Sequence, residues 1–451
     1  GINICESIGD LPSLPSTYSL LWPIFEMEYE EEEMRTTKKA PIVELDSEGN
    51  KYLKRGEEDD NFSIEMVDTI FRHILTLLTL IQANFDRNRS CGQLFFPVLI
   101  VTFSLGMSIY FMAYIVYQLL TEPIDATNIS SQLLLVTWIV QAGVSTMCLV
   151  NWQRTGKWKQ FLKCLYEPLK GRGITNGRRE LRRIVIHFYF SSFIILLYCS
   201  SYAILGQLKW IEVPHSVRYA LYYPRLQILI QLANVYLFLC WNLALFVYVF
   251  FTHALYFEIR EFNQFIAKLH SEDSVSLTVN IETAIGIHIM NAKTVRALDD
   301  IFKRYAFLML STNLPTTLFA FFLLFSRRHH PWTEIVITIP VILFCVVGFF
   351  SLTAAPAKLH DALYDTRAIF CSNRHVWLPF RTEVYQAAVA LCCHLDQANL
   401  GISIWGFAVV SRPLILTTFS VMATFLALIL QFNDCRSIAS SPYNSTLTPL
   451  P

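Results

Sequence analysis

The sequence predicts an all-α membrane protein with seven transmembrane helices, a cytoplasmic N-terminus, an extracellular C-terminus and long cytoplasmic helical extensions. Three observations lead there. Apolar residues make up 53% of the 451 and charged residues only 16%, where a soluble domain spends about a quarter of its residues on charge. Mean hydropathy is correspondingly high, +0.40. Finally, seven runs reach the roughly 20 residues that cross a hydrocarbon core about 30 Å thick.

Those runs are Leu94–Leu120, Leu133–Val150, Ile184–Leu208, Leu226–Phe251, Tyr305–Phe325, Ile335–Ala355 and Leu414–Phe432. They divide the chain. Residues 1–61 form an acidic region that reads as disordered, with "EMEYEEEE" and "RGEEDDN" in it. Residues 62–90 hold a pre-helix, "IFRHILTLLTLI", too short and too basic at its start for a span, so it reads as interfacial or packed. Spans one to four occupy 94–251, a cytoplasmic helical extension 252–304, spans five and six 305–355, a cytoplasmic helical segment 356–413, span seven 414–432, and an extracellular tail 433–451. No signal peptide is visible ahead of the first span, which is therefore expected to be the first translocated segment.

Loop charge sets the orientation. The first loop, "TEPIDATNISS", has no Lys or Arg, whereas the second, Arg154 to Arg183, is densely basic. The fourth and sixth loops add Arg260, Lys268, Lys293, Arg296, Lys303 and Arg304, then Lys358, Arg367, Arg374 and Arg381. Even-numbered loops are thus cytoplasmic, although Lys209, Arg218, Arg225, Arg327 and Arg328 run against the majority. The sequons at Asn61, Asn88, Asn128 and Asn444 fall on both sides of this arrangement and do not decide it. In the extensions, "HALYFEIREFNQFIAKLH", "IETAIGIHIMNAKTVRALDDIFKR" and Glu383–Ile404 repeat apolar residues at helical spacing with charge on the other face. They read either as surface helices of one subunit or as a cytosolic bundle where several chains meet.

Several function classes are excluded or disfavoured. Lys+Arg and Asp+Glu are equal at 36 each, so nothing suggests nucleic acid. Eleven cysteines are scattered, and Cys371, His375, Cys392, Cys393 and His394 fit no standard zinc spacing, so no metal or other cofactor is expected. The sequence lacks a phosphate-binding Gly-rich loop, His-Glu-x-x-His and Gly-x-Ser-x-Gly, and an enzyme is not expected. A G-protein-coupled receptor would place the N-terminus outside, against the charge pattern. Intramembrane ionisable groups are few (His187, His253 and Glu334), and none has the mid-bilayer carboxylate or cation placement of a proton-coupled transporter.

The seventh run contains "TFLALILQF" and, between Arg412 and Asp434, no charged side chain. At about 100° per residue Thr424, Leu428 and Gln431 share one face. An amide facing lipid is costly, so Gln431 should meet protein or water. Two accounts stand. Either Gln431 hydrogen-bonds a neighbouring helix of its own subunit, or several copies of this helix surround a pore. In the second case a Leu or Phe ring gates by dewetting, and Leu426 points to lipid.

Thr424-Phe425, five apolar residues, then Gln431-Phe432 resembles the C-terminal signature of arthropod gustatory receptors, Thr-Tyr, five residues, Gln-Phe. Phe425 here replaces Tyr. The resemblance implies a tastant-gated, non-selective cation channel, homo- or heterotetrameric with related subunits, multi-pass in the plasma membrane, in contact with membrane lipids and with no nucleic-acid partner. It makes Thr424, Leu428 and Gln431 pore-lining, Phe425 and Phe432 gate or support residues, and Asp434 the outer mouth. Its partner is a small-molecule tastant held among the second to sixth helices. The polar and aromatic candidates there are Gln132, Trp138, Gln141, Tyr198, Tyr202, Tyr223, Gln227, Gln231, Asn234, Phe322 and Trp332, because rings stack and amides direct hydrogen bonds. The alternative is a metabotropic or transporter-like polytopic protein whose seventh helix only packs.

Overall fold

The structure, a computed structural model, describes residues 74–79, 81, 83–85, 91–121, 126–169, 178–207, 227–326, 332–396 and 400–439. The chain divides into Gly1–Glu57 and Glu58–Pro451, and every described residue belongs to the second unit. The expectations for 1–61 and for the tail beyond 439 therefore lie outside the described residues.

All seven apolar runs fall on long helices. These are α1 (Cys91–Thr121), α2 (Ala126–Arg154), α4 (Arg178–Gln207), α5 (Gln227–Ala267), α6 (Ser274–Ser326), α7 (Trp332–Ser372) and α10 (Arg412–Ala439). Between them lie α3 (Lys157–Leu169), α8 (Arg374–Trp377), α9 (Thr382–Leu395) and a hairpin of β1 (Ser403–Ile404) and β2 (Ala408–Val409). At 1.5 Å per residue, the 41 residues of α5 and of α7 span about 60 Å and the 53 of α6 about 80 Å. Each is twice a bilayer core or more, so each projects well beyond it.

Those projections pack together. Phe262 and Ile266 of α5, Leu277, Ile281 and Ile287 of α6, Phe370 of α7 and Val384, Ala388 and Leu391 of α9 form a second hydrophobic core. Asp273 separates α5 from α6 and caps the latter, accepting from the backbone N–H of Ser276 at 3.0 Å. The extensions of one chain thus form a bundle, as their charge-on-one-face periodicity requires.

The main core surrounds α5, which is apolar on every side and lies against α1, α2, α4 and α7. Tyr248 and Phe302 meet edge-on at 5.1 Å, as do Trp152 and Phe302 at 5.0 Å, with the Trp152 indole N–H donating to the Ile301 carbonyl. Residues 74–79 are helical and bury Ile74 and Leu78 in this same core. Gln153 holds residues 83–85, accepting from Phe85 N–H at 2.8 Å and donating to the Ala83 carbonyl at 3.0 Å.

Two differences from the sequence reading concern the loops. The basic second loop contains α3, whose Trp158, Phe161, Leu162 and Leu165 are buried while Lys159 and Lys163 face out. That spacing is helical, but the density of charge hides it. The helix expected over Glu383–Ile404 ends at Leu395, and residues 403–409 turn back as the hairpin. Gly401 and Gly406 adopt positive φ there, 149° and 84°, which a continuing helix cannot accommodate. At Gly401 a Cβ would come within 2.5 Å of Val409. The hairpin is pinned to α6, where Asp299 accepts from the backbone N–H and hydroxyl of Ser403 at 2.6 and 2.8 Å.

Candidate functional site

Among the described residues, helix α10 packs against α6 and α7 of its own subunit. Met422 is buried there, with Ile415, Thr418, Leu426 and Ile429 half-buried. Phe419 meets the Phe349 ring of α7 at 5.0 Å, and an ion pair between Arg412 and Asp361 of α7 holds the foot of the helix. Leu426 is therefore turned toward its own subunit, and the expectation that it faces lipid is corrected. The reason is geometric: Leu426 lies one helical turn from Met422 and shares its face.

Thr424, Leu428 and Gln431 are exposed, as is Phe425. Gln431 follows Met422 by nine residues, which at about 100° each is half a turn around the helix. Among the described residues no group partners its amide. Thr417, Ser420 and Ala427 are exposed on the same side and extend it into a continuous strip of hydroxyls and small residues. The sequence reading singled out only part of this strip, although the 3-4-3-4 spacing from Thr417 to Gln431 was available to find it. Thr417 and Thr424 return their hydroxyls to the Pro413 and Ser420 carbonyls, at 3.0 and 2.9 Å, so neither demands water. The side chains of Phe432 and Asp434 lie outside the described residues.

The pocket candidates divide. Gln141 is buried on α2 and donates to the Thr316 hydroxyl of α6 at 3.3 Å. Trp138 and Tyr198 pack on one cluster built from Leu134, Ala320, Leu323, Val341 and Cys345, which brings α2, α4, α6 and α7 together. Trp138 also meets Phe238 edge-on at 5.4 Å, and Tyr198 lies 6.4 Å from the Phe344 ring. Phe322 is buried, Gln231 and Asn234 are half-buried, and Gln132 is buried with its carbonyl oxygen unpartnered. Tyr223 and the side chains of Tyr202, Gln227 and Trp332 lie outside the described residues.

Sequence reasoning missed the α6 side of this region. "STNLPTT", Ser311 to Thr317, surrounds Pro315 with hydroxyls and an amide. Thr316 and Thr317 donate to the Thr312 and Asn313 carbonyls at 2.6 and 2.8 Å, and Asn313 is buried. A proline inside a helix removes a backbone hydrogen bond, here the one that would reach the Ser311 carbonyl. The cluster of polar residues about a mid-span proline was the signal available. A cavity of about 200 Å³ at the foot of α10 shares Ser311 and Leu314 with this stretch and is otherwise lined by Phe307, Leu310, Thr353, Ile404, Leu414, Ile415 and Thr418. None of the sequence-predicted pocket residues lines it.

This architecture, seven long apolar helices of which three continue into a shared extramembrane bundle, defines a multi-pass membrane protein. No family profile and no curated protein sequence matches the chain. Its fold is that of the insect olfactory receptor OR5 from Machilis hrabei, which it matches with a TM-score of 0.59 at 12% identity over 82% of this chain and 100% of that one. The same receptor in complex with eugenol matches with a TM-score of 0.60, again at 12% identity and over 82% and 100% of the two chains.

Proposed function

We propose that this chain is a gustatory-receptor-like chemosensory subunit, four copies of which form a tastant-gated, non-selective cation channel lined by α10 in the plasma membrane. One observation carries the reading. In the most apolar stretch of α10 and of α4 alike, only 6% of residues are buried within the subunit, yet the two exposed surfaces differ in chemistry. Helix α4 shows Ile186, Tyr189, Phe190, Phe193, Leu197 and Ile204, a bulky apolar face suited to lipid. Helix α10 also exposes Leu416, Val421, Phe425 and Leu428, but opposite Met422 it shows a strip of Thr417, Ser420, Thr424, Ala427 and Gln431. An amide left unpaired in hydrocarbon costs about 2–7 kcal/mol, whereas small residues let helices approach closely. A strip of that kind suits an axis shared with other copies and with water.

In this reading Gln431, Thr424 and Leu428 line the pore, Phe425 and Phe432 gate or support it, and Asp434 forms a ring at the outer mouth. The pore face carries no fixed charge, so ions pass largely hydrated and small cations are poorly distinguished. The N-terminus is inside and the extensions are cytoplasmic. The small-molecule tastant sits among α2, α4, α6 and α7, where Trp138, Tyr198 and Gln141 converge, by analogy of fold with a receptor that takes eugenol. The Thr-Phe…Gln-Phe spacing supports the gustatory assignment.

Cysteine substitution at Thr424, Leu428 and Gln431 tests this. Agonist-evoked current should change on exposure to a water-soluble thiol reagent, while Phe193→Cys on the lipid-facing side of α4 should be silent. Robust current unaffected at all three positions would move the pore away from α10. A functional monomer would support the metabotropic or transporter-like alternative.

A further inference from the structure

Outside the pore helix and the pocket, two thiols from different helices meet at the end of the extramembrane bundle. Cys371 stands one residue from the end of α7, Cys392 is on α9, and their sulfurs lie 4.0 Å apart. One helical turn along both helices, Arg367 and Asp396 form an ion pair at 2.6 Å. The two pairs set an antiparallel register between α7 and α9 that keeps the sulfurs opposed. A disulfide bond measures about 2.05 Å, so the two sulfurs have about 2 Å to close. Cys393 is exposed and points away from Cys392, because consecutive residues on a helix do not face each other.

We propose that Cys371 and Cys392 form an oxidation site, a dithiol that hydrogen peroxide converts into a disulfide tethering α7 to α9 within one subunit. Cys371 is the exposed partner and meets the oxidant, while Cys392 packs half-buried against the bundle core. Burial, reinforced by the neighbouring Cys371, pushes the Cys392 thiol up to about 12, which keeps it protonated at rest. The Cys371 thiol reduces one peroxide to water and becomes a sulfenic acid. Cys392, giving up its proton and attacking as the thiolate, then displaces hydroxide from that sulfur; the S–S bond forms, and the hydroxide and the proton leave as a second water. Two thiols are oxidised by two electrons in all, and the peroxide is reduced by the same two.

With the extensions cytoplasmic, as the proposed orientation has them, the resting state is the dithiol, and the disulfide is a transient of the kind used for redox sensing. The tether matters because the existing tie is weak. Arg367 and Asp396 are each about half exposed, and such a pair contributes about 0–1 kcal/mol. Helix α9 leads through the hairpin into α10, so a covalent link to α7 restrains the segment that carries the last helix.

The test is chemical and independent of whether the chain conducts. The purified full-length protein in detergent is treated with hydrogen peroxide, alkylated, digested and analysed by mass spectrometry. A peptide pair joined through Cys371 and Cys392, two hydrogens lighter than the sum of the reduced peptides and released by dithiothreitol, is expected. C393S should keep the crosslink and C371S should reduce it to background, with unchanged thermal unfolding showing that the variant folds. A Cys392–Cys393 bond, a crosslink between chains, or oxidation of Cys371 to the sulfinic acid without any crosslink would overturn the proposal.

Discussion

Helices α5 and α10 have nearly the same mean hydropathy over their most apolar stretches, 2.0 and 2.2, yet 72% of the first and 6% of the second is buried inside the subunit. Hydropathy measures compatibility with an apolar surrounding and is indifferent to whether side chains or lipid supply it. Bulk separates the two helices. Helix α5 turns Phe246, Tyr248, Phe250 and Phe251 inward in every direction, each fully or nearly fully buried. Helix α10 keeps small and hydroxyl residues on the side away from Met422. The first is a spine, and the second leaves most of its surface outside the subunit's core.

The sharpest way to break this contrast is to hollow out the spine's surroundings. Phe302→Ala removes a fully buried ring packed on Tyr248 and Trp152, and truncations of this type cost about 3–5 kcal/mol. The yield of monodisperse protein and its thermal unfolding temperature should both fall. A loss as small as that of a surface substitution would mean the α5–α6 contact is not what holds the subunit.

A smaller effect is expected where the hairpin meets α6. Asp299→Ala strands the Ser403 N–H and hydroxyl, which it accepts at 2.6 and 2.8 Å. Leaving buried donors unmade costs about 1–3 kcal/mol. Hydrogen exchange across 400–411 should rise while the α5 amides stay protected. Uniform loss of protection would make the hairpin part of the main cooperative unit.

Within the membrane level, Gln141 and Thr316 join α2 to α6. A double-mutant cycle with Gln141→Leu and Thr316→Val should return a coupling of about 0.6 kcal/mol, the usual scale for interhelical hydrogen bonds in a bilayer. A value near zero would leave that pair to ligand rather than to fold.

At the bottom of the scale, Gln431 is exposed and has no hydrogen-bond partner among the described residues, so Gln431→Leu should change unfolding of the isolated subunit by no more than about 0.5 kcal/mol. Assembly and conduction are where it should be felt, so unfolding and current recorded on the same variant sharpen the contrast between the two helices. A large loss of subunit stability would place the amide in a contact inside the chain.

Much of the architecture was legible in the residues. Each apolar run became a helix because, without water, a backbone can satisfy its N–H and C=O groups in lipid only within the segment itself. The extensions were legible because apolar positions recur with helical period after charge reappears. The same period was present in α3 but was obscured by ten basic residues between Arg154 and Arg183. Of the site, "TFLALILQF" identified Thr424, Leu428 and Gln431 as one face, and the amides and rings of α2 and α4 were noticed. The α6 polar cluster around Pro315 was not, since hydroxyl residues in a span look like neutral filler until a neighbour such as Gln141 is seen to use one.

The sequence by itself determined which segments enter the membrane, since that depends on composition summed along about 20 residues and on no distant partner. It determined equally that α10 carries an amide and no charge. Tertiary structure alone decided that α5 is central, that Leu426 faces its own subunit while Gln431 faces away, that the chain turns back at 403–409, and that Cys371 and Cys392 meet. Each of these depends on which surfaces lie opposite one another. A one-dimensional pattern gives the face a residue occupies on its own helix, whereas the neighbour opposite that face is set by packing among helices far apart in the chain.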